Sequence, residues 1–204
     1  MQTGWVRYSA SGNDELVIAP ASYGSRGSSA RIRFGISDTR FGRMLIASTQ
    51  DGICRIGIAA PDDYLEAELR RDYPAASCVR DDGLLKPIAA TIIDYVEGRR
   101  ADLELPIDVR ATPFEAAVWH QLCSIPRGST RSYGEIAERL GKPTASRAVG
   151  HANGANPLAV VIPCHRAIGS DGSLTGYRWG LDVKQRLLEH ERTLVQPSRS
   201  SAVF

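Results

Sequence analysis

Ser132-Tyr-Gly-Glu-Ile-Ala-Glu-Arg-Leu-Gly141 and, after Lys142-Pro143, Thr144-Ala-Ser-Arg-Ala-Val-Gly-His-Ala-Asn153 decide how the second half of this 204-residue chain folds. Ser132 with Glu135 three residues on is a capping box, so a helix opens there, buries Ile136, Ala137 and Leu140, and stops at Gly141. Thr144 is placed to cap a second helix that runs to about Asn153. Helix, short glycine-bearing turn, helix is the helix-turn-helix pattern. Two short helices joined by a turn also occur in folds that never touch nucleic acid, so the composition of the second helix carries the weight. Ala145, Ala148, Val149, Gly150 and Ala152 are small, and Arg147 is the long polar side chain among them. A helix that reads the major groove offers several such side chains to base edges. This one lets its backbone come close to a partner, and a single arginine on such a surface suits insertion.

Upstream, Thr112-Pro113 opens a helix whose apolar stripe is Phe114, Ala117, Val118 and Leu122, with Trp119 and Cys123 read as packing. Further back, Arg31–Ile36 alternates at period 2, and Met44–Ala47 and Ile53–Ile58 follow across turn-forming separators. That is a three-stranded antiparallel meander. Helices are predicted over 62–72 and 84–97, the second ended by Gly98. Residues 1–30, rich in Ser, Gly and Ala, read as a flexible arm, and 193–204 as a loose tail. The expected class is α+β, with a small antiparallel sheet and helices in residues 31–108 and a mostly helical domain with the helix-turn-helix in 109–192.

At 43% hydrophobic and 24% charged residues the composition excludes a disordered or collagen-like chain. No apolar run nears the roughly 20 residues of a membrane helix, and Met1–Ala10 lacks the apolar core of a secretory signal. Cys54, Cys78, Cys123 and Cys164 lie far apart without a C-x-x-C pair, which argues against a disulfide framework or metal cluster and for a reducing, cytoplasmic setting. The net charge of +2 divides unevenly. Residues 1–109 carry 13 basic and 16 acidic groups (−3), and residues 110–204 carry 12 and 7 (+5), so the second half is the face for an anion.

The chemistry sits after that helix pair. Ala159-Val-Val-Ile162 is a short apolar run, read as a buried strand or extended segment, and Pro163 ends it. Cys164-His165-Arg166 follow, a thiol beside an imidazole and a guanidinium, surroundings that favour a thiolate. Alone, that tripeptide is as consistent with a buried Cys and two surface residues. Leu181 to Arg192 reads as a helix with Lys184, Leu187, Leu188 and Glu191 on its packed face. A carboxylate there needs a partner, and a His is a natural one.

Asn156-Pro157, Ile162-Pro-Cys-His-Arg166, Gly172-Ser-Leu-Thr-Gly-Tyr-Arg-Trp-Gly180 and Lys184 to Glu191 together resemble the O6-alkylguanine-DNA alkyltransferase family, in particular the C-terminal half of adaptive-response proteins. The likeness covers roughly residues 31–192 and implies a ribonuclease H-like first domain. The zinc-binding and gene-regulatory segments of the longer adaptive-response proteins are not seen in this sequence, so their transcriptional role is not assigned and regulation is left open. The resemblance implies irreversible transfer of a methyl or other alkyl group from O6 of guanine in DNA to Cys164, with O4-alkylthymine left open. It makes His165 the base acting through a water, Glu191 the acid that orients it, Asn156 the hinge before the active-site segment and Tyr133 a donor near the target base. Arg147 would fill the gap left by a flipped nucleotide in the minor groove. Thr144, Ser146, Gly150 and Arg166 are expected at the DNA, and Asn153, Tyr177, Arg178 and Trp179 around the base, Trp179 narrowing the pocket. A monomer acting on double-stranded alkylated DNA is expected, with no cofactor, metal or membrane. The alternative is a non-catalytic sensor of alkylated DNA; family members of that kind typically lack the cysteine present here. A cysteine protease would need a separate His and Asn arrangement that the sequence does not offer.

Overall fold

The computed structural model describes residues 4–8, 14–19 and 21–195. Seven strands, β1 Gly4–Tyr8, β2 Glu15–Val17, β3 Arg31–Thr39, β4 Gly42–Ser48, β5 Ile53–Ile58, β6 Ser77–Arg80 and β7 Leu103–Ile107, form one sheet in the order β2-β1-β7-β5-β4-β3-β6. The expected meander is its centre: β3 pairs antiparallel with β4, and β4 with β5. The sheet is larger than that meander and mixed, because β6 joins β3 and β7 joins β5 in parallel. Helix α1 (Asp62–Asp72) has the predicted bounds, and α2 (Asp82–Val96) starts two residues early because the Asp81 carboxylate accepts from Leu84 N at 3.0 Å.

The expected loose arm holds structure. Val6 and Tyr8 of β1 point into the core while Trp5 and Arg7 are half-buried, and β1 pairs along its whole length with β7, nearly a hundred residues away. β2 covers the outer edge, and Ser25–Gly27 is a short 3-10 turn. Residues 1–3, 9–13 and 20 of that arm, and 196–204 of the expected tail, lie outside the described residues.

The second half is helical: α3 Pro113–Cys123, α4 Tyr133–Arg139, α5 Ser146–Gly154 and α6 Leu181–Val195. Both α3 and α4 carry full capping boxes, Thr112 with Glu115 and Ser132 with Glu135. Gly141 closes α4 at φ +69°, a left-handed conformation suited to glycine. Thr144 does not cap α5. Ala145 holds that position, its N–H bonded to Lys142 O at 2.9 Å, and no side chain caps the helix. Helix α6 takes in Thr193–Val195 of the expected tail. No helix among the described residues is long and apolar enough to cross a membrane.

The run 159–162 is buried but is not a strand. Val161 N–H bonds Ala159 O at 2.7 Å and Ile162 N–H bonds Leu158 O at 2.9 Å, so it coils into tight turns with Val160 at φ +63°. Its entrance bridges to the sheet, where Ile56 N–H donates to Pro157 O at 2.8 Å and Ala159 N–H to Ile56 O at 3.3 Å. That bridge pins the segment before Cys164 to the middle of the sheet, and one apolar cluster runs from β1 to α6.

Trp119, fully buried on α3, donates Nε1–H to Ala152 O of α5 at 2.9 Å, which fixes the second helix of the helix-turn-helix against the first half of its domain. Trp119→Phe keeps most of the ring but strands that carbonyl. It should lower stability by about 1–3 kcal/mol, read as a lower urea midpoint at unchanged slope.

Candidate active site

Cys164, His165 and Arg166 form a single 3-10 turn between the tight turns and a two-residue strand, β9 Ala167–Ile168, which pairs parallel with β8 Arg131–Ser132 ahead of α4. All three side chains are buried. Asn156 fastens the turn: its Nδ2–H donates to Ile162 O at 2.8 Å, and its Oδ1 accepts from Leu158 N–H at 2.9 Å.

Glu191, in the last turns of α6, reaches this turn. His165 Nε2 lies 3.0 Å from Glu191 Oε1, so the carboxylate that helix spacing put on the packed face has a histidine partner. Arg166, expected at the DNA, is not on the surface. It is buried and grips the same carboxylate with Nη2 at 2.7 Å and Nε at 3.0 Å, while Nη1 donates to Ile125 O at 2.6 Å. A buried arginine needs a counter-ion, and Glu191 is within its fork. Burial alone would raise the Glu191 carboxyl, but His165 and Arg166 overcome it and hold the carboxyl far below its ordinary value.

An ionised Glu191 accepts, so the proton of neutral His165 sits on Nε2 and Nδ1 is left with a lone pair. Burial pushes the imidazole below its ordinary value despite Glu191, so the ring rests neutral. Its Nδ1 is buried without a hydrogen-bond partner among the described residues.

Burial also pushes the Cys164 thiol up, against the pull of the Asn156 amide and the Lys184 ammonium. The sulfur therefore rests as a thiol, which corrects the expectation of a standing thiolate. The guanidinium next to it in sequence is spent on Glu191.

Cys164 opens into a cavity of about 440 Å³ lined also by Tyr133, Asn153, Asn156, Tyr177 and Trp179. On two of these lining residues, Asn153 Oδ1 and Tyr177 Oη are buried without hydrogen-bond partners among the described residues. Tyr133 Oη donates to Thr175 O at 3.3 Å. Gly150 and Gly154 line the rim, and a Cβ added to either would meet nothing within 4 Å. Arg147 and Thr144 are exposed, and Ser146 is partly so, at the start of α5. Arg178 borders the cavity, but its guanidinium turns to the first half of the chain, with Nε 3.0 Å from Glu68 Oε2 and Nη2 3.3 Å from Asp72 Oδ1.

Sequence reasoning missed two supports. Lys184, seen only as a packed helix position, is fully buried and clamps Ala167 O at 2.6 Å and Thr175 O at 2.8 Å, its ammonium pushed down to about 8 by burial. Its place on the same packed face as Leu187 and Leu188 was the available signal. Tyr8, from the arm, donates to Val161 O behind the turn, and nothing local marked it.

A helix-turn-helix set in front of a buried thiol with an imidazole–carboxylate pair behind it defines the class. Residues 113–193 match the 6-O-methylguanine DNA methyltransferase, DNA binding domain, and residues 32–109 match the ribonuclease-like domain of the same proteins. The inducible methylated-DNA–protein-cysteine methyltransferase of Bacillus subtilis is 45% identical over 148 residues, 72% of this chain and 83% of that protein. The regulatory protein ada of Salmonella typhimurium is 43% identical over 165 residues, 81% of this chain. The chain spans 47% of that protein and 52% of Escherichia coli Ada, about half of each. Mycobacterium tuberculosis OGT in complex with DNA superposes with a TM-score of 0.67 at 34% identity, over 79% of this chain and 94% of that one. The chain belongs to the methylated-DNA–protein-cysteine methyltransferase family.

Glu191→Gln would leave Arg166 buried without its counter-ion, at a loss of about 3–5 kcal/mol. A carboxyl held low in the folded state stabilises fully above its unfolded value of about 4.3, and that share is lost as pH falls below it. The gap between wild type and variant in urea unfolding should be complete at pH 7 and narrow steadily below about pH 4.3.

Proposed function

We propose that this chain repairs duplex DNA by moving a methyl group, once per molecule, from O6 of guanine to Cys164 Sγ. The observation that carries the reading is the His165–Glu191 pair, which leaves a buried, unpartnered Nδ1 in the same turn as a neutral thiol. His165 takes the Cys164 proton through a water, the S–C bond forms as the C–O6 bond breaks, and the guanine leaves as its anion. Tyr133 Oη donates a hydrogen bond at O6 during departure. The proton passes on to the guanine, so the products are methylcysteine and guanine. The general base is essential because burial disfavours a standing thiolate, while the thiolate is the nucleophile. No metal and no cofactor takes part, since the DNA is the alkyl donor and the cysteine the acceptor.

The methyl carbon is out of reach inside a base stack, so the nucleotide must swing out, at a few kcal/mol. Helix α5 supports this: its exposed small residues allow close approach to the minor groove, and Arg147 is free to occupy the vacated stack. Thr144 and Ser146 at the start of α5 suit backbone phosphates, which position without reading sequence. Asn153 and Tyr177 offer their unpartnered polar atoms to the base edge, and Asn156 holds the turn behind it. Thiol, base and helix all belong to one copy, so a monomer is the acting unit, in the cytoplasm and on the nucleoid.

Intact-mass measurement after incubation with a methylated duplex should show one added methyl mapping to Cys164, and none on Cys164→Ser. Because the His165 ring is held below its ordinary value of about 6.5, the base stays competent below that pH. The acid limb of the transfer rate should therefore lie below pH ~6.5, and His165→Ala should slow transfer by about 10²–10⁴-fold.

Arg147→Ala should slow repair in duplex far more than reaction with free O6-methylguanine, which needs no extrusion. Equal slowing in the two assays would remove the arginine from the flipping step.

A further inference from the structure

A second cavity of about 580 Å³ lies beside the first, between the N-terminal half of the chain and the C-terminal end of α5. Gly150, Gly154 and Arg178 line both, so the two are continuous along one helix face. Arg26, Arg55 and Arg110 complete a set of four guanidinium groups, against Asp72 as the one carboxylate among the described lining residues. Asp72 takes Arg55 Nη1 at 2.8 Å and Arg178 Nη2 at 3.3 Å. Arg26 and Arg110 are exposed and pair with no carboxylate among the described residues.

Two further observations mark this groove as a ligand site. Arg55 is only 3% exposed, yet its Nη2 has no hydrogen-bond partner and lies 3.8 Å from Glu68 Oε2, beyond bonding distance. A buried charged donor left open is costly and asks for an acceptor. Arg26 sits at φ +58°, ψ 21° within the Ser25–Gly27 turn, a left-handed conformation unusual for a side chain of its size. Such strain gathers where a ligand is clamped.

We propose that this groove holds a backbone phosphate of the DNA strand whose nucleotide enters the Cys164 cavity, so that the N-terminal half of the chain contacts DNA directly. Planar guanidinium forks match phosphate oxygens. Gly154, with nothing within 4 Å of an added Cβ, leaves the path between the two cavities open for a strand. The proposal rests on α5 facing DNA, as in the repair reading. It gives the first half of the chain a binding role beyond scaffolding.

The test uses the full chain and an unmethylated labelled duplex, with affinity followed by anisotropy over a salt series. Each lost phosphate contact reduces the slope of log K against log salt by about 0.9. Arg26→Ala/Arg110→Ala should lower the slope by about one such step, Arg26→Lys/Arg110→Lys should keep it, and both should react with free O6-methylguanine at the wild-type rate. Melting curves confirm that each variant is folded, Arg110 giving up only a 3.4 Å contact to Tyr23 O. An unchanged slope in the alanine pair overturns the proposal, even if inorganic phosphate stabilises the wild type. Equal slowing with the free base overturns it too. A wild type that binds but gains no methyl would refute the repair reading alone, since the slope comparison needs no transfer.

Discussion

Arg166 and Glu191 meet where neither charge could remain without the other. The carboxylate comes from the end of α6 and the guanidinium from the turn that carries Cys164, and both are buried. Around them close the Ile125 carbonyl and the Gly128 N–H, which donates to Glu191 Oε2 at 3.2 Å, so the segment after α3 is tied in as well. Replacing such a pair with apolar groups of the same shape is often neutral for stability. What it supplies here is orientation. An ionised Glu191 dictates which nitrogen of His165 holds the proton, and so which nitrogen can accept one.

The thiol beside that ring rests neutral. Its desolvation outweighs the favourable influence of Asn156 and Lys184. On the proposed reading, in which the protein is consumed by its own reaction, that restraint is an advantage, because a thiolate is the form that oxidants and stray electrophiles attack. On that reading, ionisation is tied to a proton relay through His165 instead of being a standing property of the sulfur.

Capping chemistry was legible in part: Ser132 with Glu135 and Thr112 with Pro113 marked two helix starts, and Glu115 completes the box at the second of these pairs. The meander and the packed-face position of Glu191 were legible too, because period and helical spacing are local signals, while His165 as its partner followed from the family likeness. The strands β1 and β7 were not, since each is five residues long and finds its partner across nearly the whole first half. Arg166 could not be told from a surface arginine until its carboxylate was in place. Thr144 had the right chemistry for a cap, but the Lys142–Ala145 turn leaves Ala145 at the helix entrance. Val160 escaped notice because an apolar run has the same composition whether it extends or coils, and here only Ile56 offered a strand to pair with.

The cavity wall over Cys164 belongs to both halves of the chain. Lys184 and Tyr133 hold the Thr175 carbonyl at one end of the loop, while Arg178 is held at the other by Glu68 and Asp72 of α1. Trp179 lies between these anchors against β5, and a Cβ on Gly57 would meet its ring at 2.9 Å and Leu65 at 2.8 Å. The missing side chain at Gly57 therefore lets the indole lie flush against the sheet, with the Arg55 guanidinium 5.6 Å from the ring centre. A sheet residue more than a hundred positions away from the cysteine, Gly57, thus helps to set where Trp179 stands on the wall of the Cys164 cavity. A first half that only filled space could change freely beneath that loop, whereas Gly57, Glu68 and Asp72 each constrain one of its side chains.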